Sequence, residues 1–267
     1  MSTVQAIRTV LFYLLLSASA FVWGTLSFFI APILPFRARY RFVVQNWCRF
    51  AIWLTRVVAG IRYEVRGLEN IPEKPCVILS KHQSTWETFF LSGFFEPLSQ
   101  VLKRELLYVP FFGWALALLK PIAIDRSQPK LALKQLAKQG DECLKKGAWV
   151  LIFPEGTTTN GESLRTFHGR LMASALEAGV AVQPVAISYR RDGVPDAQAP
   201  FIGDDDLLSH LGRLLRGENL AIGYFAQHQL DSLDPQASPL LHLQRIAPGE
   251  REQTLKDFLG GFDFRGV

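Results

Sequence analysis

From Thr9 to Phe36 the chain runs for 28 residues without a charged side chain, and any fold must find a place for that run. A helix of about 20 apolar residues crosses the hydrocarbon core of a bilayer, so the run is long enough to span one without being obliged to. Pro32 and Pro35 end it, Arg37, Arg39 and Arg41 follow at once, and Phe42 to Val58 is a second apolar stretch interrupted by Arg49 and Arg56. Two helices joined by a proline turn make a hairpin that sinks its apolar faces into a membrane surface while its arginines reach the headgroups. A single transmembrane helix is the nearest rival. A secretory signal peptide is another, with Arg8, an apolar core from Val10 to Leu16, and Ala18, Ser19 and Ala20 as the cleavage site. Cleavage there would leave a strongly apolar new terminus, which favours the retained hairpin.

The charge distribution points the same way. Residues 1–66 hold eight arginines, no lysine and one acid, Glu64, while the whole chain has 29 basic and 24 acidic residues and a net charge of +5. The basic excess is therefore N-terminal and sits in the most apolar part of the sequence. A nucleic-acid site presents its cations on a polar face; arginines set in apolar sequence indicate anionic lipid and no nucleic acid. Cys48, Cys76 and Cys143 lie far apart without C-x-x-C spacing, so they outline neither a disulfide framework nor a zinc site. They read as reduced thiols in a protein facing the cytosol.

After Gly60 the pattern changes to short strands alternating with helices. Ile61 to Val65 alternates apolar and polar residues, and Cys76–Leu79, Pro121–Ile124, Trp149–Phe153 and Val182–Ile187 are short apolar runs typical of strands buried on both faces. Helical stretches fall at Trp86–Phe95, Tyr108–Leu119, Lys130–Lys146 and Arg170–Ala178. The alternation predicts an α/β domain with a mostly parallel central sheet flanked by helices. The expected organisation is a membrane-anchoring hairpin over residues 1–60 and one catalytic domain over 61–267. Asn219–Leu230 adds a candidate strand and Glu250–Phe258 a candidate helix. In a parallel sheet, sites form where strands end, so the residues just after each strand carry the functional reading.

The strand ending at Leu79 runs into Ser80-Lys81-His82-Gln83-Ser84-Thr85-Trp86-Glu87. A histidine at a strand end, with a carboxylate on the first turn of the next helix, can form a pair in which the acid holds one ring nitrogen and the other takes a proton. The competing reading is that Ser84 and Glu87 are only a capping box. There is no G-x-S-x-G motif, and the cysteines lie outside a recognisable catalytic setting; a base without a protein nucleophile suggests that the substrate supplies the attacking group. After the strand ending at Phe153 come Pro154-Glu155-Gly156-Thr157-Thr158-Thr159. Backbone N–H groups and hydroxyls there suit an oxyanion or phosphate, although an ordinary turn has the same composition. Lys103-Arg104-Glu105 and Asp125-Arg126 are further charged clusters at strand ends.

The order and spacing of these blocks resemble the bacterial 1-acylglycerol-3-phosphate O-acyltransferases, within the wider glycerolipid acyltransferase family. His82 to Glu87 matches the family's H-x-x-x-x-D. Lys103-Arg104-Glu105-Leu106 through Pro110-Phe111-Phe112-Gly113 matches its second block, Phe153 to Thr157 its F-P-E-G-T, and Val182 to Ile187 its V-P-V-A-I. Two positions depart from the pattern. Glu87 stands in place of the usual aspartate, and Thr158 in place of an arginine that in the family holds the acceptor's phosphate.

The resemblance implies that His82 is the general base, that Glu87 stabilises its imidazolium, and that neither metal nor cofactor takes part. Glu155, Gly156 and Thr157 are then acceptor-site residues, and Lys103, Arg104 and Arg126 candidate phosphate ligands. The acyl donor is acyl-CoA or acyl carrier protein and the acceptor a lysophospholipid. The expected location is the inner membrane, with the catalytic domain facing the cytoplasm. Three alternatives stand beside this: a different lysolipid acceptor such as lyso-ornithine lipid, a membrane-bound acyl hydrolase, and a catalytically silent membrane-binding module.

Overall fold

The structure is a computed structural model that describes residues 3–124, 129–160, 179–191, 194–196, 200, 220–226, 240–241, 244 and 251–260. The uncharged run folds as helix α1 (Thr3–Ile30). Ala31–Ile33 form one 3-10 turn containing Pro32, and Leu34, which precedes Pro35, is extended at φ −90° and ψ 142°. A proline disfavours helical backbone in the residue before it, so the break falls where the sequence puts it. The chain returns through α2 (Phe36–Tyr40), a π-helical turn at Arg41–Gln45 and α3 (Asn46–Ala59), which ends at Gly60 with φ 75°. The indole N–H of Trp23 donates to the carbonyl of Phe42 over 2.7 Å, and that of Trp47 to Ser19 Oγ over 3.2 Å. Contacts that pair residue 19 with 47 and 23 with 42 show an antiparallel hairpin, as expected.

The hairpin is docked on the rest of the chain. Phe12, Tyr40, Val43, Trp47 and Ile52 belong to the same buried cluster as Trp86, Phe90, Ile78 and Leu151, so no seam in the packing falls at Gly60. Some of its arginines serve this docking. Arg39 Nη2 donates to Leu34 O over 2.9 Å, Arg49 Nε to Gly93 O over 2.8 Å, and Arg41 pairs with Glu96 at 2.6 Å. The outer side of α1 remains apolar, with Val10, Leu14, Phe28 and Phe29 exposed. Ala6–Ile33 is long and apolar enough to cross a bilayer.

Beyond Gly60 the elements are β1 (Arg62–Arg66), β2 (Val77–Ser80), α4 (Thr85–Phe94), β3 (Leu98–Lys103), α5 (Phe112–Ala117), β4 (Ile122–Ile124), α6 (Pro129–Lys145), β5 (Trp149–Ile152), β6 (Val182–Arg191), β7 (Val194–Pro195), β8 (Leu220–Ala226) and α7 (Glu252–Gly260). The sheet order is β1-β8-β6-β2-β5-β3-β4, with β7 attached to β6. Five pairings are parallel, and β6 meets β7 and β8 antiparallel. The mostly parallel sheet read from the sequence is therefore present. One face packs under α4 and the hairpin; on the other, Val77, Val150 and Ile152 pack with Leu136 and Leu144 of α6. Burial on both faces explains why β2 and β5 are continuous apolar runs.

One helix differs from expectation. Tyr108 closes a 3-10 turn that starts at Arg104, and α5 begins only at Phe112. Pro110 disfavours helical backbone at Val109 and has no N–H to give, and Phe111 adopts φ 62°. The helix expected at Arg170–Ala178 lies outside the described residues.

Candidate active site

The parallel register brings the blocks to one end of the sheet. Leu79 of β2 is level with Ile152 of β5, and Lys103 of β3 is level with Ile124 of β4. His82 therefore emerges beside the Phe153–Thr159 turn. In the order β2-β5-β3 the end of β3, Lys103 with the exposed Arg104 after it, stands two strands from β2, roughly 10 Å at the usual strand spacing. Arg126, placed by sequence at the end of β4, lies outside the described residues.

His82 Nδ1 lies 2.8 Å from Glu87 Oε1. The pair forms because β2 stops at Ser80, the chain crosses four residues outside helix and strand, and α4 starts with Ser84 as its N-cap. Ser84 and Glu87 do make the capping box, and the two competing readings turn out to be compatible. Oε1 accepts from the backbone N–H of Gln83 at 2.6 Å and of Ser84 at 2.8 Å while also meeting His82. Cap and pair share one carboxylate. Glu87 is 0% exposed and His82 22%, so the acid is sealed and the imidazole reaches the surface. With Nδ1 held, Nε2 is left as the nitrogen that can take a proton. The ring is further fixed by stacking on Phe153, with centroids 4.0 Å apart and planes 15° from parallel.

The turn after β5 is built around Gly156, at φ 68°, a conformation open to glycine at little cost. Its N–H returns to Phe153 O over 3.0 Å. Glu155 and Thr159 are buried, and the Thr159 hydroxyl lies 3.3 Å from Glu155 Oε2. Thr157 and Thr158 are partly exposed next to them. Buried Glu155 supports the turn, while Gly156 and Thr157 lie on its accessible part.

Two of the thiols are held unreactive. Burial pushes Cys48 up to about 12 and Cys76 up to about 11, and a thiol must ionise to act as a nucleophile. A cavity of about 280 Å³ lies between the hairpin, α4, β3 and α5, lined mainly by apolar side chains such as Trp23, Val44, Trp47, Phe89, Leu102 and Leu119. Thr88, the neighbour of Glu87 on α4, is also part of the lining.

One contact escaped the sequence reading altogether, and a second involves a residue named there only as part of the turn. Tyr189 Oη donates to Glu87 Oε2 from β6, and Thr159 binds the His82 loop. The only prior hint of the first is the inward phase of Val185, Ile187 and Tyr189 along β6, since alternate residues share a face.

Known proteins resemble this chain in sequence and in fold. The model of the Acyltransferase family matches residues 62–188. A 1-acyl-sn-glycerol-3-phosphate acyltransferase of Pseudomonas aeruginosa is 89% identical over 186 residues, 70% of this chain and 72% of that one. A lyso-ornithine lipid O-acyltransferase of the same organism is 54% identical over 190 residues, 70% and 68% of the two chains. The crystal structure of the 1-acyl-sn-glycerophosphate acyltransferase of Thermotoga maritima is 18% identical, with a TM-score of 0.58 over 98% of each chain. It shares the fold, including the N-terminal portion.

Proposed function

The chain belongs to the acyltransferase family, and from that premise we propose that it moves a fatty acyl group from an acyl thioester to the free hydroxyl of 1-acylglycerol-3-phosphate, giving phosphatidate. Nε2 of His82 takes the hydroxyl proton as the oxygen attacks the thioester carbonyl. The C–S bond then breaks, and the imidazolium returns the proton to the departing thiol. Glu87 fixes the ring and balances its charge. General-base catalysis contributes about 10²- to 10⁴-fold; the rest comes from alignment and from donors to the oxyanion, a role suited to the Gly156–Thr157 segment. Lys103, Arg104 and Arg126 bind the acceptor's phosphate, and the apolar cavity takes an acyl chain. The thioester is that of coenzyme A or of acyl carrier protein, and no further cofactor enters this scheme.

The observation that carries this reading is the 2.8 Å contact between His82 and a fully sealed Glu87, at the strand ends where the family's other blocks meet. A hydrolase gains no support from Cys48 and Cys76, whose thiols burial keeps protonated. We further propose that residues 1–60 anchor the enzyme on the cytoplasmic face of the inner membrane, through the exposed face of α1 and anionic lipid.

A second acceptor has an observation in its favour. Thr158 offers the phosphate no cation, and a relative 54% identical is a lyso-ornithine lipid acyltransferase. Purified protein given a labelled acyl thioester and a panel of lysolipids decides between the two. Lysophosphatidate should be acylated fastest, since arginine and lysine at the end of β3 replace the missing fork. Faster turnover of lyso-ornithine lipid under matched conditions would reverse the assignment.

A further inference from the structure

We propose that Tyr189 is a positioning residue for the base: its buried phenol donates to Glu87 Oε2 and locks the carboxylate at the rotation that points Oε1 to His82 Nδ1. The proposal rests on His82 being the general base, as argued above.

The placement follows from the sheet. β6 lies parallel beside β2, with Ser80 level with Val185. β2 ends there, but β6 runs on, and its inward row of Val185, Ile187 and Tyr189 is buried throughout. Tyr189 therefore stands past the end of β2, against the first turn of α4, where Glu87 points inward. The tyrosine is 4% exposed and the glutamate 0%, so water is kept from both.

The two carboxylate oxygens have different partners. Oε1 meets His82 Nδ1 and the N–H groups of Gln83 and Ser84, whereas Oε2 meets the Ser84 N–H at 3.0 Å and the phenol of Tyr189. The last torsion of a glutamate side chain is broad and two-fold. The Gln83 N–H and His82 bear on Oε1 and the Ser84 N–H is shared between the two oxygens; the phenol gives Oε2 a donor of its own from another strand, and the two ends together fix the torsion. Burial, followed by the neighbouring Glu87 charge, pushes the phenol well above its ordinary range, so it stays a donor across the working pH. The phenol also meets the hydroxyl of Ser84, the N-cap of α4, so a positioning role has to show in kcat at unchanged stability.

The test is Tyr189→Phe, which keeps the ring and removes the donor, assayed as the full-length enzyme in lipid vesicles beside His82→Ala. Both are given lysophosphatidate and whichever acyl thioester the wild type turns over. Loss of a hydrogen bond to a charged group should lower kcat about tenfold, with KM for each substrate within about twofold and the thermal midpoint within about 4 °C. A kcat less than about threefold down, a rise in KM in place of a fall in kcat, or activity that declines only with the folded fraction overturns the positioning role. Should His82→Ala keep more than about a tenth of wild-type activity, the base assignment fails first and Tyr189 has no base to position. His82→Ala silent beside an unaffected Tyr189→Phe would sink this proposal alone.

Discussion

Thr159 donates its backbone N–H to the carbonyl oxygen of His82 over 2.9 Å, so the turn after β5 is fastened to the loop that presents the base. The two halves of the site, separated in sequence by 77 residues, are held in one frame by this contact. Thr159→Ala keeps the backbone bond and removes the hydroxyl between Glu155 and His82. It should lower kcat/KM by about 0.5 to 1.5 kcal/mol, the net range for one neutral hydrogen bond. Thr159→Pro also removes the N–H and should cost distinctly more. Steady-state kinetics on the two variants check the ranking, and equal losses would show that the backbone bond does not matter.

Because Glu87 is both cap and partner, substitutions at the two members of the pair should separate chemistry from stability. His82→Ala removes a partly exposed ring and should lose activity by about 10²-fold or more with little change in melting. Glu87→Gln also loses activity. In addition it places an amide NH₂ against donors, whichever way it is turned, because both carboxylate oxygens accept hydrogen bonds. Its stability should fall by about 1 to 3 kcal/mol, the cost of leaving a buried polar group without a proper partner. Denaturation curves measured beside activity distinguish the two, and a Glu87→Gln protein as stable as wild type would contradict the geometry.

Arg104 begins the exposed 3-10 turn after β3, where a headgroup can reach it. Arg104→Ala should raise KM for lysophosphatidate by a factor equivalent to about 1.5 to 3 kcal/mol, as for hydrogen bonds to charged groups. KM for a phosphate-free lysolipid should hardly change. A parallel rise for both acceptors would remove Arg104 from the phosphate site.

On α1, Leu14 and Phe28 are exposed whereas Phe12 is buried. The double variant Leu14→Glu with Phe28→Glu should remain folded yet bind anionic vesicles at least about tenfold less tightly, since acidic groups are disfavoured in the apolar layer by about 2.5 kcal/mol or more each. Vesicle co-sedimentation reads the effect. Wild-type binding by this variant would move the membrane contact to another face.

The apolar strands were legible because burial on both faces leaves a continuous run, as in Trp149–Ile152. β3 has no such mark: Leu98-Ser99-Gln100-Val101-Leu102-Lys103 shows neither clean alternation nor an unbroken apolar run, and its place between β5 and β4 makes it a strand. The hairpin was legible from its prolines. So was the pair of His82 and Glu87, because a strand end and the next helical turn are local in sequence. Tyr189 was not, since it lies 102 residues beyond Glu87 and arrives only through the register of β6 on β2. The break before α5 shows the opposite failure, where an apolar stretch suited to a helix is overruled by Pro110.

The position of β1 has a consequence for how the protein is made. β1 ends at Arg66, but β8, its partner in the sheet, begins at Leu220. At the roughly 5 to 20 residues per second of translation, β1 leaves the ribosome roughly eight to thirty seconds before the strand that pairs with it. During that interval its hydrogen-bonding edge is open to other chains, the situation in which strands aggregate. The hairpin emerges earlier still, and with the membrane anchoring proposed above a nascent chain would be kept apart from its neighbours at the lipid surface while β1 waits for β8.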